Sequence, residues 1–187
     1  NQDASGFVTA NNSNDVTLNL VPSANQFGTA SVMVTVTDNG TNQLRVVTQS
    51  FTITLNSVND APVFNVSTKD IQVNEGDDVK RMGQFLTGIN AIEDSQQIQS
   101  VTVSVVSGAE FFASEPAMDW VLSSTVATLN YTPTTNLDTT GVATINVVVV
   151  DDGGTANGGA DTTTKTFTIT VHQDSDGDGV PDKDDPF

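Results

Sequence analysis

Between Asp174 and Asp185 the chain reads Asp-Ser-Asp-Gly-Asp-Gly-Val-Pro-Asp-Lys-Asp-Asp. With Asp174 as the first place, carboxylates stand at places one, three, five, nine and twelve: Asp174, Asp176, Asp178, Asp182 and Asp185. Gly179 holds place six, where a twelve-residue calcium loop turns sharply. Val180 holds place seven, where such a loop offers a backbone carbonyl. Six aspartates against one lysine repel one another unless a cation gathers them. Carboxylate and carbonyl oxygens, with no thiolate or imidazole among them, suit Ca2+. A solvated acidic run would explain the charge, but not the spacing together with the glycine.

This loop departs from the EF-hand at its end. Place twelve is Asp185 and not glutamate, and Pro181 and Pro186 leave no long helix behind it. The wording Asp-x-Asp-Gly-Asp-Gly-Val-x-Asp-x-x-Asp resembles one thrombospondin type 3 repeat. That resemblance implies a calcium-wrapping segment with little secondary structure of its own.

The elements that must position these acids read as strands. Thr and Val alternate through Ser31–Thr37 and Phe51–Leu55, with the period of two and the β-branched content of half-buried strands. Gly, Asn, Asp and Pro clusters punctuate the runs, and no helical period stands out. Strands are expected near 69–74, 79–86, 99–106, 109–113, 119–131 (with a break at Ser123-Ser124), 142–150 and 163–171. About seven strands in that length fit an immunoglobulin-like sandwich.

The chain also repeats itself. Gly28-Thr-Ala-Ser-Val-Met-Val-Thr-Val-Thr-Asp-Asn-Gly40 matches Gly141-Val-Ala-Thr-Ile-Asn-Val-Val-Val-Val-Asp-Asp-Gly153. Ser50-Phe-Thr-Ile-Thr-Leu55 matches Thr166-Phe-Thr-Ile-Thr-Val171. The period is one domain length, which implies tandem domains and not a solenoid. The expected organisation is therefore all-β. Residues 1–57 carry the last strands of one sandwich, 58–173 form a complete one, and 174–187 form the calcium loop. A partial sandwich exposes an open core and unpaired edges.

Antiparallel order gathers a second set of acids. The chain entering the complete sandwich, its second-to-third loop and its sixth-to-seventh loop meet at one end. They carry Asn59 and Asp60, Glu93 and Asp94, and Asp151 and Asp152. Converging carboxylates repel unless protonated or metal-bound, so this end is a second candidate Ca2+ site. Turn formation alone also accounts for Asp60, Asp151 and Asp152.

The segment Val58-Asn-Asp-Ala-Pro-Val-Phe64, preceded by Val34-Thr-Val-Thr-Asp-Asn-Gly40 and by Phe51-Thr-Ile-Thr-Leu55, resembles the junction of cadherin-like repeats. Bacterial forms of that family occur in large surface adhesins and in some secreted enzymes. The resemblance implies that Asp60 is the linker ligand and that Asp151 is the acid opening the last hairpin. Glu93 and Asp94 fall where the family has Asp-x-Asp, but adjacent. Ser57 stands where a linker aspartate is common. These departures imply one ion, or weak sites, and not a cluster of three.

Composition bounds the function. With 23 acidic against 6 basic residues, the net charge is -17, which argues against nucleic acid and anionic membranes as partners. No run of 18 apolar residues exists, so no membrane insertion is expected. No signal peptide opens the sequence, which reads as a mature piece or part of a longer chain. Cysteine is absent, and calcium would take the stabilising place of disulfides in a bacterial exported protein.

Catalytic chemistry is not legible. His172 is the single histidine, which leaves a Ser-His-Asp arrangement no spare base. Zinc would have to do without Cys. Trp120 and Tyr131 stand alone and read as core residues, not as a sugar platform. The chain is therefore expected not to be an enzyme. It reads as a calcium-stiffened spacer of a large extracellular protein, with neighbouring domains of the same polypeptide as partners. Two rival readings are a module binding glycans or another copy, and a non-catalytic appendage of a secreted hydrolase. Fold alone does not choose among them.

Overall fold

The computed structural model describes residues 7–10, 16–23, 26–37, 45–93, 95–135 and 137–185. The protein is almost all β, with no α-helix among these residues. Among the described residues no helix is long and apolar enough to cross a membrane. The chain divides into two compact units between Ser57 and Val58.

In the first unit, β1 (Phe7–Ala10) pairs with β2 (Val16–Asn19), and β3 (Gly28–Thr37) pairs with β4 (Val46–Leu55). Every pairing is antiparallel.

The second unit has eight strands: β5 (Val63–Val66), β6 (Asp70–Asn74), β7 (Lys80–Asn90), β8 (Ile98–Ser107), β9 (Phe112–Asp119), β10 (Val126–Pro133), β11 (Gly141–Asp151) and β12 (Thr162–His172). They form two four-stranded sheets, ordered β5-β7-β10-β9 and β6-β12-β11-β8. Both sheets contribute to one apolar core. Ala143, Ile145, Val147 and Val149 of β11 alternate inward, all at 0 % exposure, with Phe167, Ile169 and Val171 beside them on β12. Phe64, Phe85, Leu86, Leu129 and Tyr131 face them from the other sheet. The Phe85 and Phe167 rings meet edge-on across the layers at 4.8 Å. Burying each such aliphatic or aromatic side chain stabilises the fold by about 1.5–3 kcal/mol.

Three local differences from the sequence reading have physical causes. The short β5, just after Pro62, carries a single deeply buried residue, Phe64, too little alternation to register as a strand. The segment expected as a strand near 109–113 begins as a 3-10 turn, Ala109–Phe111, because Gly108 adopts a left-handed φ of 82°. The break at Ser123-Ser124 is a loop closed by the Trp120 indole, which donates to the Ser124 carbonyl at 2.9 Å, while Ser123 takes a φ of 67°. Trp120 is half-buried against the core edge and Tyr131 lies within it.

The two long hairpins share one register. Gly28 faces Leu55, Ala30 faces Ile53 and Val32 faces Phe51; Gly141 faces Val171, Ala143 faces Ile169 and Ile145 faces Phe167. Their surroundings differ. Val34, Val36 and Phe51 are 42 %, 62 % and 44 % exposed, whereas their counterparts Val147, Val149 and Phe167 are buried.

Strand β6 runs parallel to β12, not antiparallel as adjacent strands were expected to run. This sets Asn74 beside His172 at the end where the acidic tail leaves the sandwich. Asp151 and Thr162 mark the opposite end of the same sheet.

Candidate metal centres

The tail begins on the sandwich. Asp174 is 7 % exposed, and its two carboxylate oxygens organise the turn that follows. Oδ1 accepts the Gly177 N–H and Oδ2 accepts the Gly179 N–H, each at 3.0 Å. Gly177 and Gly179 take left-handed φ values of 70° and 91°, which side chains with a Cβ rarely adopt. The chain therefore curls around its own first carboxylate. Asp178 donates its N–H to Asp176 Oδ1 at 3.2 Å, and Val180 donates to Asp178 Oδ1 at 2.8 Å.

The result is a carboxylate triad. One oxygen each from Asp174, Asp176 and Asp178 lie within 4.8 Å of one another. Calcium binds oxygens at 2.3–2.6 Å, so ligands on opposite sides of one ion stand up to about 5 Å apart. The spacing and the all-oxygen chemistry fit a hard divalent cation, and three carboxylates this close repel without one.

The second half of the register is arranged differently. Asp182 turns to Ser175, accepting the backbone N–H at 2.7 Å and the hydroxyl at 2.6 Å. The Ser175 hydroxyl, with the backbone N–H behind it, holds the Asp182 carboxyl below the usual carboxylate range. Asp184 and Asp185 both donate backbone N–H groups to the Pro181 carbonyl. Val180 stands on the loop surface, its residue 40 % exposed. Asp182 would have to release Ser175 to join the triad around one ion.

The opposite end assembles around Asn59, which is 7 % exposed. Its side-chain amide donates to Ala160 O at 2.7 Å and Asp151 Oδ1 at 2.9 Å, with Gly154 O at 3.1 Å. Its backbone carbonyl accepts the Ala160 N–H. Asn59 thus plugs the loop between β11 and β12. Glycines make room for it: a Cβ on Gly153 would lie 2.2 Å from Asn59 Oδ1, and one on Gly159 would lie 2.9 Å from the Asn59 nitrogen.

Asp151, 3 % exposed, also accepts the Gly153 N–H. Glu93 accepts the Asp60 N–H at 2.9 Å, and Asp152 accepts the Gln97 N–H at 2.7 Å. After these bonds four buried oxygens at this end have no partner among the described residues: Asn59 Oδ1, Glu93 Oε2, Gln96 Oε1 and Asp151 Oδ2. All four accept and none donates. Burying such groups unpaired is costly, more so for carboxylates.

Asn59 and Asp151 thus meet directly, while Glu93 is bonded to the backbone of Asp60 beside them. The carboxylates of Asp60 and Asp152 sit on exposed residues at the rim. Asp94 lies outside the described residues. Gln96 was missed, because an uncharged amide in a polar loop carries no spacing signal. Glu75, near the tail, is an acid of the kind that is ordinarily solvated at a surface. It is instead 8 % exposed, and both its oxygens accept backbone N–H groups, from Leu137 at 2.6 Å and Asp174 at 3.0 Å.

No protein-family model matches this chain, and no curated protein matches it. Among solved structures, an endo-fucoidan hydrolase of glycoside hydrolase family 107 aligns with a TM-score of 0.37 and 16 % identity. The alignment covers 92 % of this chain and 23 % of that one. A likeness at this level carries no argument about activity.

Proposed function

We propose that this chain is a calcium-binding structural segment of an extracellular bacterial surface protein, with no catalytic role of its own. The observation that carries the reading is the convergence of Asp174, Asp176 and Asp178 within 4.8 Å, in the spacing of a calcium loop. The four partnerless oxygens of Asn59, Glu93, Gln96 and Asp151 support a second site at the other end. A calcium ion there would draw on carboxylate and amide oxygens alone, which suits its hard character.

On this reading the ions consolidate loops at both ends of a sandwich without disulfides. Extracellular modules of this kind bind calcium at about 10⁻⁴ to 10⁻³ M, so the sites fill outside a cell and not in its cytoplasm. The cadherin-like and thrombospondin-like resemblances accord with such a role in a long surface protein.

The test is calcium titration of the chain and of a variant carrying Asp176→Asn and Asp178→Asn. The reading expects one calcium fewer in the variant. Equal stoichiometry would remove the tail from the account.

A further inference from the structure

The tail is held by Asn74, the last residue of β6, and by Glu75, which follows it. Glu75 is almost fully buried, yet its carboxylate forms no ion pair with a Lys or Arg among the described residues. Oε1 accepts the Asp174 N–H at 3.0 Å, and Oε2 accepts the Leu137 N–H at 2.6 Å. Its own N–H donates to the His172 carbonyl at 2.8 Å. Beside it, the Asn74 side chain donates to Gly179 O at 2.9 Å and approaches Asp174 Oδ2 at 3.4 Å. The two residues therefore grip the metal loop at its first place and at its sixth. These are the residue that begins the carboxylate triad and the glycine that turns the chain.

The strand that supplies this grip is weakly placed. Strand β6 has five residues and lies at the edge of its sheet, hydrogen-bonded to β12 alone. It nevertheless supplies Ile71 and Val73, 6 % and 8 % exposed, to the core. Short edge strands open locally more readily than central ones. If β6 lifts, Glu75 leaves the Asp174 N–H and the metal loop loses its anchor.

We infer that Glu75 is a positioning residue for the tail metal loop, and that calcium in the tail fastens the edge strand β6 to the sandwich. The inference rests on the reading that the tail binds calcium, and it adds a mechanical consequence. Glu75 need not touch the ion. It presents the loop in the geometry that the ion selects, as groups bonded behind metal ligands do. Loss of such groups typically weakens affinity about 10- to 100-fold. Linkage requires the converse: an ion that binds only the docked loop lowers the population in which β6 is open. At free calcium of about 100 times the dissociation constant, that population falls about 100-fold.

The experiment combines calcium titration with hydrogen exchange of the Ile71–Asn74 amides, each with calcium and with chelator. It compares the chain with Glu75→Gln, Asn74→Ala and the Asp176→Asn, Asp178→Asn variant. Glutamine keeps one acceptor but sets an NH2 group against a backbone N–H. The expected result for Glu75→Gln is calcium binding weakened at least about 10-fold. Its β6 amides should also lose the calcium-dependent slowing that the unaltered chain shows. The ratio of exchange with and without calcium is read within each variant, so a general loss of stability does not imitate the effect. If Glu75→Gln does not fold, Asn74→Ala removes the second grip and is expected to weaken binding several-fold. Unaltered affinity together with unaltered calcium-dependent slowing, in Glu75→Gln or, failing that, in Asn74→Ala, would overturn the inference. Calcium stoichiometry unchanged in the double aspartate variant would instead overturn the tail site beneath it.

Discussion

The Asn59 side-chain amide donates to the Asp151 carboxylate at 2.9 Å, joining the entry of the sandwich to the hairpin 92 residues later. The bond leaves one acceptor on each residue, Asn59 Oδ1 and Asp151 Oδ2, without a partner among the described residues. The same contact thus does two things. It pins the incoming chain to the β11–β12 loop, and it leaves on each residue a buried oxygen that the proposed second calcium site would use.

The first task is tested by substitution. Asn59→Ala removes the amide that serves Asp151, Gly154 and Ala160 and leaves a buried carboxylate short of a donor. It should destabilise the second unit by about 2–4 kcal/mol in urea unfolding. Gly153→Ala should cost about 1–3 kcal/mol, because its Cβ would lie 2.2 Å from Asn59 Oδ1. A midpoint unchanged in both variants would show that the plug is not structural.

Gln96 reports on the second task. Gln96→Ala removes one of the four partnerless oxygens without changing charge. It should weaken one class of calcium site about tenfold while leaving the tail site intact. Calorimetry that finds both classes unaltered would mean that these oxygens are satisfied by water instead.

Calcium should raise thermal stability. At free calcium about 100 times the dissociation constant, linkage gives roughly 2.7 kcal/mol per site. Melting in calcium and in chelator measures it directly. Coincident melting curves would contradict binding at both ends of the second unit.

Tyr131 gives a pH test independent of metal. Burial, and then the negative charge of Asp77, push its hydroxyl up from 10.0 to about 12. The folded state therefore holds the proton more tightly than the unfolded chain. The resulting stability is fully present below pH 10 and is lost as pH rises toward 12, at a rate approaching about 1.4 kcal/mol per pH unit. The chain has one tyrosine, so tyrosinate absorbance reads this group alone. Titration near 10 in the folded protein would mean that the ring is not sealed in the core.

What the sequence disclosed follows from periodicity. Strands β3, β4, β11 and β12 alternate over many residues, and their Thr and Val patterns survive reading without structure. The aspartates at 174, 176 and 178 are legible for the same reason, because their carboxylates gather within one short, regularly spaced segment. Strand β5 is too short to alternate, and β9 hides behind a turn that only the left-handed Gly108 explains. At the sites, Asn59, Gln96 and Glu75 act through loops that are distant in sequence. Their partners are backbone groups or orphaned oxygens, which leave no periodic trace. The charge of Glu75 even misleads, since its carboxylate is buried on backbone N–H groups and not solvated at the surface.

The central claim is that the residues after Gln173 hold an ion. Calorimetric titration of the full chain against a chain ending at Gln173 tests it most directly. The account predicts that truncation lowers calcium stoichiometry by one and leaves the site at Asn59 and Asp151 to titrate alone. The same stoichiometry and affinity in both chains would contradict it.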